Sequence, residues 1–243
     1  MKTIPLQIEH ARDVAALHIK GIDKGFISSL GIDFVTALYE AIARSKSSFG
    51  FAIEDHDRVL GFVTFTANLN KLYKSVITKN GLHFALLLIS KMFSIKRLKR
   101  VLETLSYPLR VKKTARKNAE KIELPSAELL SIVINPEDCQ VGLATQLVRK
   151  SFERCKEIGL ENVKVLVGAD NGAANKLYEK CGFKFVCQID NHGQASNVYE
   201  AQIDEALKRT VEAEKTTMHY FASRRDERKV TVEQEPKVVA CVA

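Results

Sequence analysis

Two short segments gather residue types suited to holding and reacting with a phosphate-bearing ligand. The first, Pro136-Glu137-Asp138-Cys139-Gln140-Val141-Gly142-Leu143-Ala144-Thr145, follows the apolar run Leu129-Leu130-Ser131-Ile132-Val133-Ile134. It reads as a strand, a turn and a helix start. The first N–H groups of a helix lack internal partners and sit at the positive end of its dipole. Gly142 and Ala144 are small enough for backbone to approach a phosphate, and Thr145 adds a hydroxyl, so the turn is an anion site fit for a pyrophosphate. It has neither the GK[ST] of a Walker loop nor the spacing of a dinucleotide GxGxxG. Alone, the small residues also fit tight helix–strand packing. The second segment, Asn171 to Phe183, reads as a helix that places a polar Asn and the Tyr178 phenol beside the same ligand, although Asn171 is as natural a helix N-cap and Tyr178 as natural a core residue.

The elements that must position these residues follow from hydrophobic patterning. Thr3–Ile8 reads as a strand and Ala11–Ile22 as a helix. Phe34, Leu38 and Ile42, spaced i, i+4, i+8, predict an amphipathic helix after Gly31. Phe51–Glu54 and Val59–Thr66 read as a hairpin around Asp55-His56-Asp57-Arg58. Residues 68–123 break the rhythm. They look helical, first apolar (81–95) and then strongly basic, with Pro108 interrupting, and read as an insertion. Glu128–Ile134 has the β-branched content of a buried strand, Gly142–Glu157 is helical with Gly159 placed as its C′ residue, and Val163–Val167 is another buried strand. After the helix Asn171–Cys181 come final strands Phe183–Gln188 and Ser196–Ile203, joined through Asn191-His192-Gly193. This alternation predicts a three-layer α/β architecture over residues 1–203. Residues 204–243 form a charged tail, with Ala206, Leu207 and Val211 able to start a helix and a mobile end from Glu233.

Composition narrows the function classes. The chain has 243 residues, 46% apolar, with a formal charge of +8. Between Lys91 and Lys121 eleven Lys/Arg face only Glu103 and Glu120, a net of +9, so the remainder sums to −1 and the basicity is one patch. Five cysteines form no CxxC or zinc spacing and six histidines no HExxH, so no metal is expected and a reducing cytoplasm is. The longest apolar run, Phe84–Ile89, is far short of the roughly 20 residues a bilayer span needs.

Taken together, the two segments resemble the Gcn5-related N-acetyltransferase (GNAT) family. Its acyl-CoA pattern Q/R-x-x-G-x-G/A aligns with Cys139, Gln140, Val141, Gly142, Leu143 and Ala144. Its second pattern, N-x-x-A-x-x-L-Y-x-x-x-G-F, is matched by Asn171, Ala174, Leu177, Tyr178, Gly182 and Phe183. The resemblance is good over about 127–203 and weaker over 3–67, and does not reach 68–123 or the tail. It implies a mixed, mostly antiparallel twisted sheet flanked by helices, with acetyl-CoA as co-substrate and an amine acceptor attacking directly in a ternary complex. By the same resemblance the pantetheine arm lies along Ile132, Val133 and Ile134, with a backbone N–H polarising the thioester. Gln140 to Thr145, with Asn171 and Ala174, hold the rest of the cofactor. Tyr178 corresponds to the acid that protonates the leaving thiolate, a role suited to a phenol of ordinary pKa near 10. The amine needs a base, for which Glu128 at the entry of the central strand is the first candidate and Glu54 a weaker one. Cys139 stands where Gln or Arg is usual, a departure that removes a charge-assisted contact; without a His close in sequence it reads as a structural thiol rather than a nucleophile.

The acceptor lies outside both motifs. Gly25–Gly31 is similar to a stretch in family members near glycan pathways, which points faintly to an amino sugar. Members of the family often dimerise. The rival readings are a non-catalytic module that senses acyl-CoA, and a binder of nucleic acid or an anionic membrane through the basic patch. The patch holds only Phe93 and Tyr107 as aromatics, which disfavours a single-strand groove.

Overall fold

The computed structural model describes residues 1–23, 25–89, 123–138, 142–191 and 193–225. The basic patch Lys91–Lys121, the motif residues Cys139, Gln140 and Val141, His192 of the last turn and the end of the tail lie outside the described residues.

Seven strands form one sheet: β1 (Lys2–Pro5), β2 (Ser48–Asp55), β3 (Arg58–Thr66), β4 (Glu128–Ile134), β5 (Asn162–Gly168), β6 (Lys184–Asn191) and β7 (Gln194–Gln202), in the order β1-β2-β3-β4-β5-β7-β6. All neighbours pair antiparallel except β4 and β5, which are parallel. The β2–β3 hairpin closes on His56 and Asp57, both at positive φ (47° and 59°), the conformation a two-residue turn of the twist-matched kind demands. The β6–β7 hairpin turns through Gly193 at φ 79°.

Helices cover both faces. α1 (Ala11–Gly21), α2 (Ile32–Arg44) and α3 (Leu69–Ile89) lie on one; α4 (Leu143–Glu157), α5 (Gly172–Lys180) and α6 (Ile203–Arg225) lie on the other. The first layer packs Val14, Val35, Tyr39 and Leu72 onto Phe62 and Val133, and the second packs Leu147, Phe152, Leu177 and Ile203 onto Ile132, Ile134, Val163 and Val165. The period-2 alternation of β4 thus feeds two cores, Val133 to one and Ile132 and Ile134 to the other. The three-layer α/β expectation holds. The stretch 68–123 differs in part. Its described beginning is α3, which is built into the fold through Leu69, Leu72 and Phe84. The tail begins as a helix immediately after β7, and Glu214 on α6 holds Arg149 on α4 at 2.8 Å. None of the described helices is long and apolar enough to cross a membrane.

Gly61 on β3 allows β4 to come close, because a Cβ there would lie 2.5 Å from Ile134 Cδ1 and 2.9 Å from the Val133 carbonyl. Gly61→Ala should therefore cost about 1–3 kcal/mol by overpacking. Urea denaturation measures the loss, and an unchanged midpoint would contradict the close approach.

Candidate active site

The central feature of the sheet is a seam that opens. β4 and β5 pair in register at only two positions, Glu128 with Lys164 and Leu129 with Val165. Beyond them β4 stays with β3 to Ile134, while β5 stays with β7 to Gly168. Each strand follows its antiparallel neighbour, so the two separate. The Asn135 N–H donates to the Leu60 carbonyl at 2.7 Å. Antiparallel alternation then turns the backbone of Val133 and Ser131 toward β3 and leaves that of Ile132 and Ile134 facing the opening. Of the three residues expected along a pantetheine arm, two present backbone there and Val133 does not.

α4 starts near the far end of β4. Gly142 is its N-cap, at φ 97° and ψ −14°, a left-handed conformation that explains a glycine at this point. Its carbonyl accepts from Gln146 N at 2.9 Å. The first turn carries no acidic side chain and the last carries Arg154 and Lys156, so the positive end of the helix dipole is left for an external anion. Leu143 and Ala144 are buried against the core. Thr145 is buried too, and its hydroxyl shares a hydrogen bond with the Cys181 thiol. It is therefore engaged inward, away from the role of phosphate donor its position in the motif implied. Burial dominates that contact and pushes the Cys181 thiol up to about 12.

The second motif serves the fold throughout. Asn171 caps α5, its Oδ1 accepting from Ala174 N at 3.1 Å. Ala174, Leu177 and Tyr178 face the core. Gly182, at φ 91°, ends the helix where a Cβ would lie 3.0 Å from Ala206 Cα, and Phe183 packs on Phe152 and Tyr178. Tyr178 is fully buried, edge-on to Phe183 with ring centroids 5.4 Å apart, in the same cluster as Ile132 and Ile134. Asn175, at a position the family pattern leaves open, ties the end of β5 to β7. It donates to Gly168 O at 3.0 Å and accepts from Asn197 Nδ2 and the Tyr199 hydroxyl at 2.9 and 2.8 Å.

Glu128 stands at the closed end of the seam. It is fully buried and paired with Lys164 Nζ at 3.1 Å, and that ammonium also donates to the Pro125 carbonyl at 2.6 Å. Removing one partner of such a buried pair typically costs about 3–5 kcal/mol. Glu54, the weaker candidate, pairs with Lys2 at the β1 edge, remote from β4.

On the α1–α3 face lies a polar chain that local sequence did not suggest. His18 Nδ1 contacts the Tyr39 hydroxyl at 2.6 Å, that hydroxyl contacts Ser131 Oγ at 2.9 Å, and Ser131 Oγ contacts Thr64 Oγ1 at 3.0 Å. Its members are 21, 92 and 67 residues apart along the chain, so no motif could have joined them. Ser131 belongs to β4, so the chain passes through the strand beside the opening before it reaches Thr64 on β3. Burial pushes Tyr39 well above the ordinary phenol range and lowers His18 to about 4.

With this geometry in hand, comparisons place the chain. Residues 111–183, which include β4, α4, β5 and α5 with its following turn, match the model of the acetyltransferase (GNAT) family. The fold is similar to that of an N-acetyltransferase from Staphylococcus aureus Mu50 at 17% identity and a TM-score of 0.52, covering 84% of this chain and 99% of that one. It is also similar to a spermidine N-acetyltransferase chimera from Vibrio cholerae and hSSAT, at 17% identity and 0.53, covering 85% and 97%. Comparison with curated protein sequences finds no match. The family match thus covers β4, β5 and the two helices beside the opening, and the likeness to these solved N-acetyltransferases is one of fold.

The buried histidine predicts a pH dependence of stability. The unfolded chain takes a proton at His18 near pH 6.5, and the folded chain only near pH 4. The stability His18 contributes is thus complete above about 6.5 and lost as pH falls from 6.5 toward 4. Between about pH 7 and pH 5 the loss is about 2 kcal/mol. Urea titrations at both pH values should show it, and His18→Gln should flatten the slope; parallel slopes for the two proteins would refute the assignment.

Proposed function

We propose that this protein transfers an acetyl group from acetyl-CoA to a primary amine, by direct attack of the amine on the thioester in a ternary complex. The observation that carries this reading is the opening between β4 and β5, with the backbone of Ile132 and Ile134 turned into it and the N-terminus of α4 at Gly142 close by.

In this reading the pantetheine amides pair with β4 as a strand would, and the pyrophosphate sits on the N–H groups from Gly142 to Thr145. By the family resemblance Gln140 and Val141 also hold the cofactor, and Asn171 and Ala174 at the head of α5 border it. A backbone N–H of β4 polarises the thioester carbonyl as its oxygen gains negative charge. The amine nitrogen forms the new C–N bond, the C–S bond breaks, and the thiolate takes a proton from Tyr178, whose buried ring shares a core with Ile132 and Ile134. The proton leaving the amine needs an acceptor on the α1–α3 face. Glu128 is the carboxylate proposed for it, because its charge acts on Tyr73, a residue of that face, while Lys164 favours its ionised form. An amine as acceptor is supported by the likeness to the Vibrio cholerae and hSSAT chimera, a spermidine N-acetyltransferase.

Titration calorimetry with acetyl-CoA, followed by thiol release in the presence of amines, tests the reading. Tyr178→Phe should lower kcat by on the order of 10²-fold, as loss of a general acid does, and leave acetyl-CoA affinity unchanged. Equal kcat in the two proteins would remove Tyr178 from the mechanism, and wild-type protein that fails to bind acetyl-CoA would remove the reading itself.

A further inference from the structure

A cavity of about 330 Å³ lies between α1, α2 and α3 and the sheet, on the face opposite α4. Its walls include Phe26, Leu30, Phe34, Leu72, Phe84 and Leu130. Among the described residues that line it, none is Asp, Glu, Lys or Arg. Four carry a polar side-chain atom: His18, Tyr39, Tyr73 and Ser131. The Tyr39 and Ser131 hydroxyls are already joined to each other and to His18 and Thr64. His18 Nε2 is different. The residue is 1% exposed, and Nε2 has no hydrogen-bond partner among the described residues. A buried polar atom of this kind in a cavity wall marks where a ligand is to supply a partner.

The cavity also has a fixed relation to the seam. Leu130 and Ser131 line it, and Ile132, the next residue of β4, turns its backbone into the opening. An acyl group held in that opening is therefore approached from the cavity side, since the other face is filled by α4 and α5. Glu128 acts from behind Tyr73, within its pair with Lys164, and does not line the cavity.

On the reading that the seam holds acetyl-CoA, we infer that this cavity is the acceptor pocket, and that the acceptor is an amine carried on a bulky, uncharged, apolar body, with His18 Nε2 its hydrogen-bonding contact inside. A linear polyamine brings further ammonium groups, and the described lining has no carboxylate to neutralise them. A sugar brings several hydroxyls, and the lining offers few polar atoms that are not already engaged. The segment Gly25–Gly31, which in sequence pointed toward an amino sugar, supplies Phe26, Ile27 and Leu30 to the apolar wall. His18, neutral at pH 7 because burial lowers it to about 4, can hydrogen-bond an uncharged amine without repelling it.

Gly81 on α3 gives a clean way to fill the space. It lines the cavity, and a Cβ built there meets no atom within 4 Å. Leu is also the better helix former, so Gly81→Leu should fold. Wild-type, Gly81→Leu and His18→Gln proteins are first titrated with acetyl-CoA. They are then assayed for thiol release with n-octylamine, 4-phenylbutylamine, spermidine and glucosamine. The expected result is a kcat/KM at least about tenfold higher for the two apolar amines, as burial of a few methylenes supplies. Both variants should bind acetyl-CoA as the wild type does, while their KM for the apolar amines rises about tenfold or more. Protein that binds acetyl-CoA but prefers spermidine or glucosamine, or is indifferent to Gly81→Leu, overturns the pocket assignment and leaves the acetyltransferase reading standing. Protein that does not bind acetyl-CoA overturns that reading, and the assignment with it.

Discussion

Everything in this molecule is arranged around the failure of two parallel strands to stay together. β4 and β5 share two rungs and then part, because each is held along its whole length by an antiparallel neighbour of its own. A gap in a sheet exposes backbone polar groups, and interiors tolerate these only where something else can pair with them. The gap is therefore a site before any side chain is considered. What surrounds it keeps it in shape. The Glu128–Lys164 pair pins the closed end, Gly61 draws β3 tight against β4, and Asn175 ties β5 to β7 at the open end.

The two faces of the sheet then differ in kind. On one, α4 presents an unneutralised N-terminus and α5 is locked down by its cap, its Tyr178–Phe183 packing and the tight turn at Gly182. That face is suited to a charged, phosphorylated molecule reached by backbone. On the other, three helices enclose an apolar space crossed at one side by the His18–Tyr39–Ser131–Thr64 chain. Ser131 and Ile132, adjacent on β4, serve the two sides: one side chain joins the polar chain, and the next residue's backbone faces the gap. In the proposed reading, a strand's alternation suffices to bring two chemically unlike ligands to one point.

The parts of this plan legible in sequence are those written in local pattern. The strand Glu128–Ile134 is bounded in the structure as its β-branched run predicts, and α4 with Gly159 following it and α5 with Asn171 before it lie where their caps place them. The GNAT resemblance rested on such features and is upheld. What was not legible depends on contacts across the fold. Thr145 reads as a ligand contact beside Gly142, yet its hydroxyl turns to Cys181, 36 positions away. Glu128 reads as a candidate base at a strand entry, yet the parallel register sets it opposite Lys164. His18 carries no motif at all, since its partners come from α2 and β4. α3 lacks a clean one-sided pattern because it buries Leu69, Leu72 and Phe84 but leaves the apolar Ile77, Leu82 and Leu86 exposed, so it merged with the basic residues after it.

The open seam has a thermodynamic corollary. In the acyl-CoA reading, the backbone that completes the sheet belongs to a soluble metabolite, not to the chain. Folding and metabolite level are then linked by mass action: each tenfold rise in free ligand above its dissociation constant adds about 1.4 kcal/mol to the native state. For a domain whose net stability is typically only about 5–15 kcal/mol, that is a sizeable fraction. The lifetime of the protein in a cell, through the small unfolded population open to proteases, would then follow the supply of its own acyl donor.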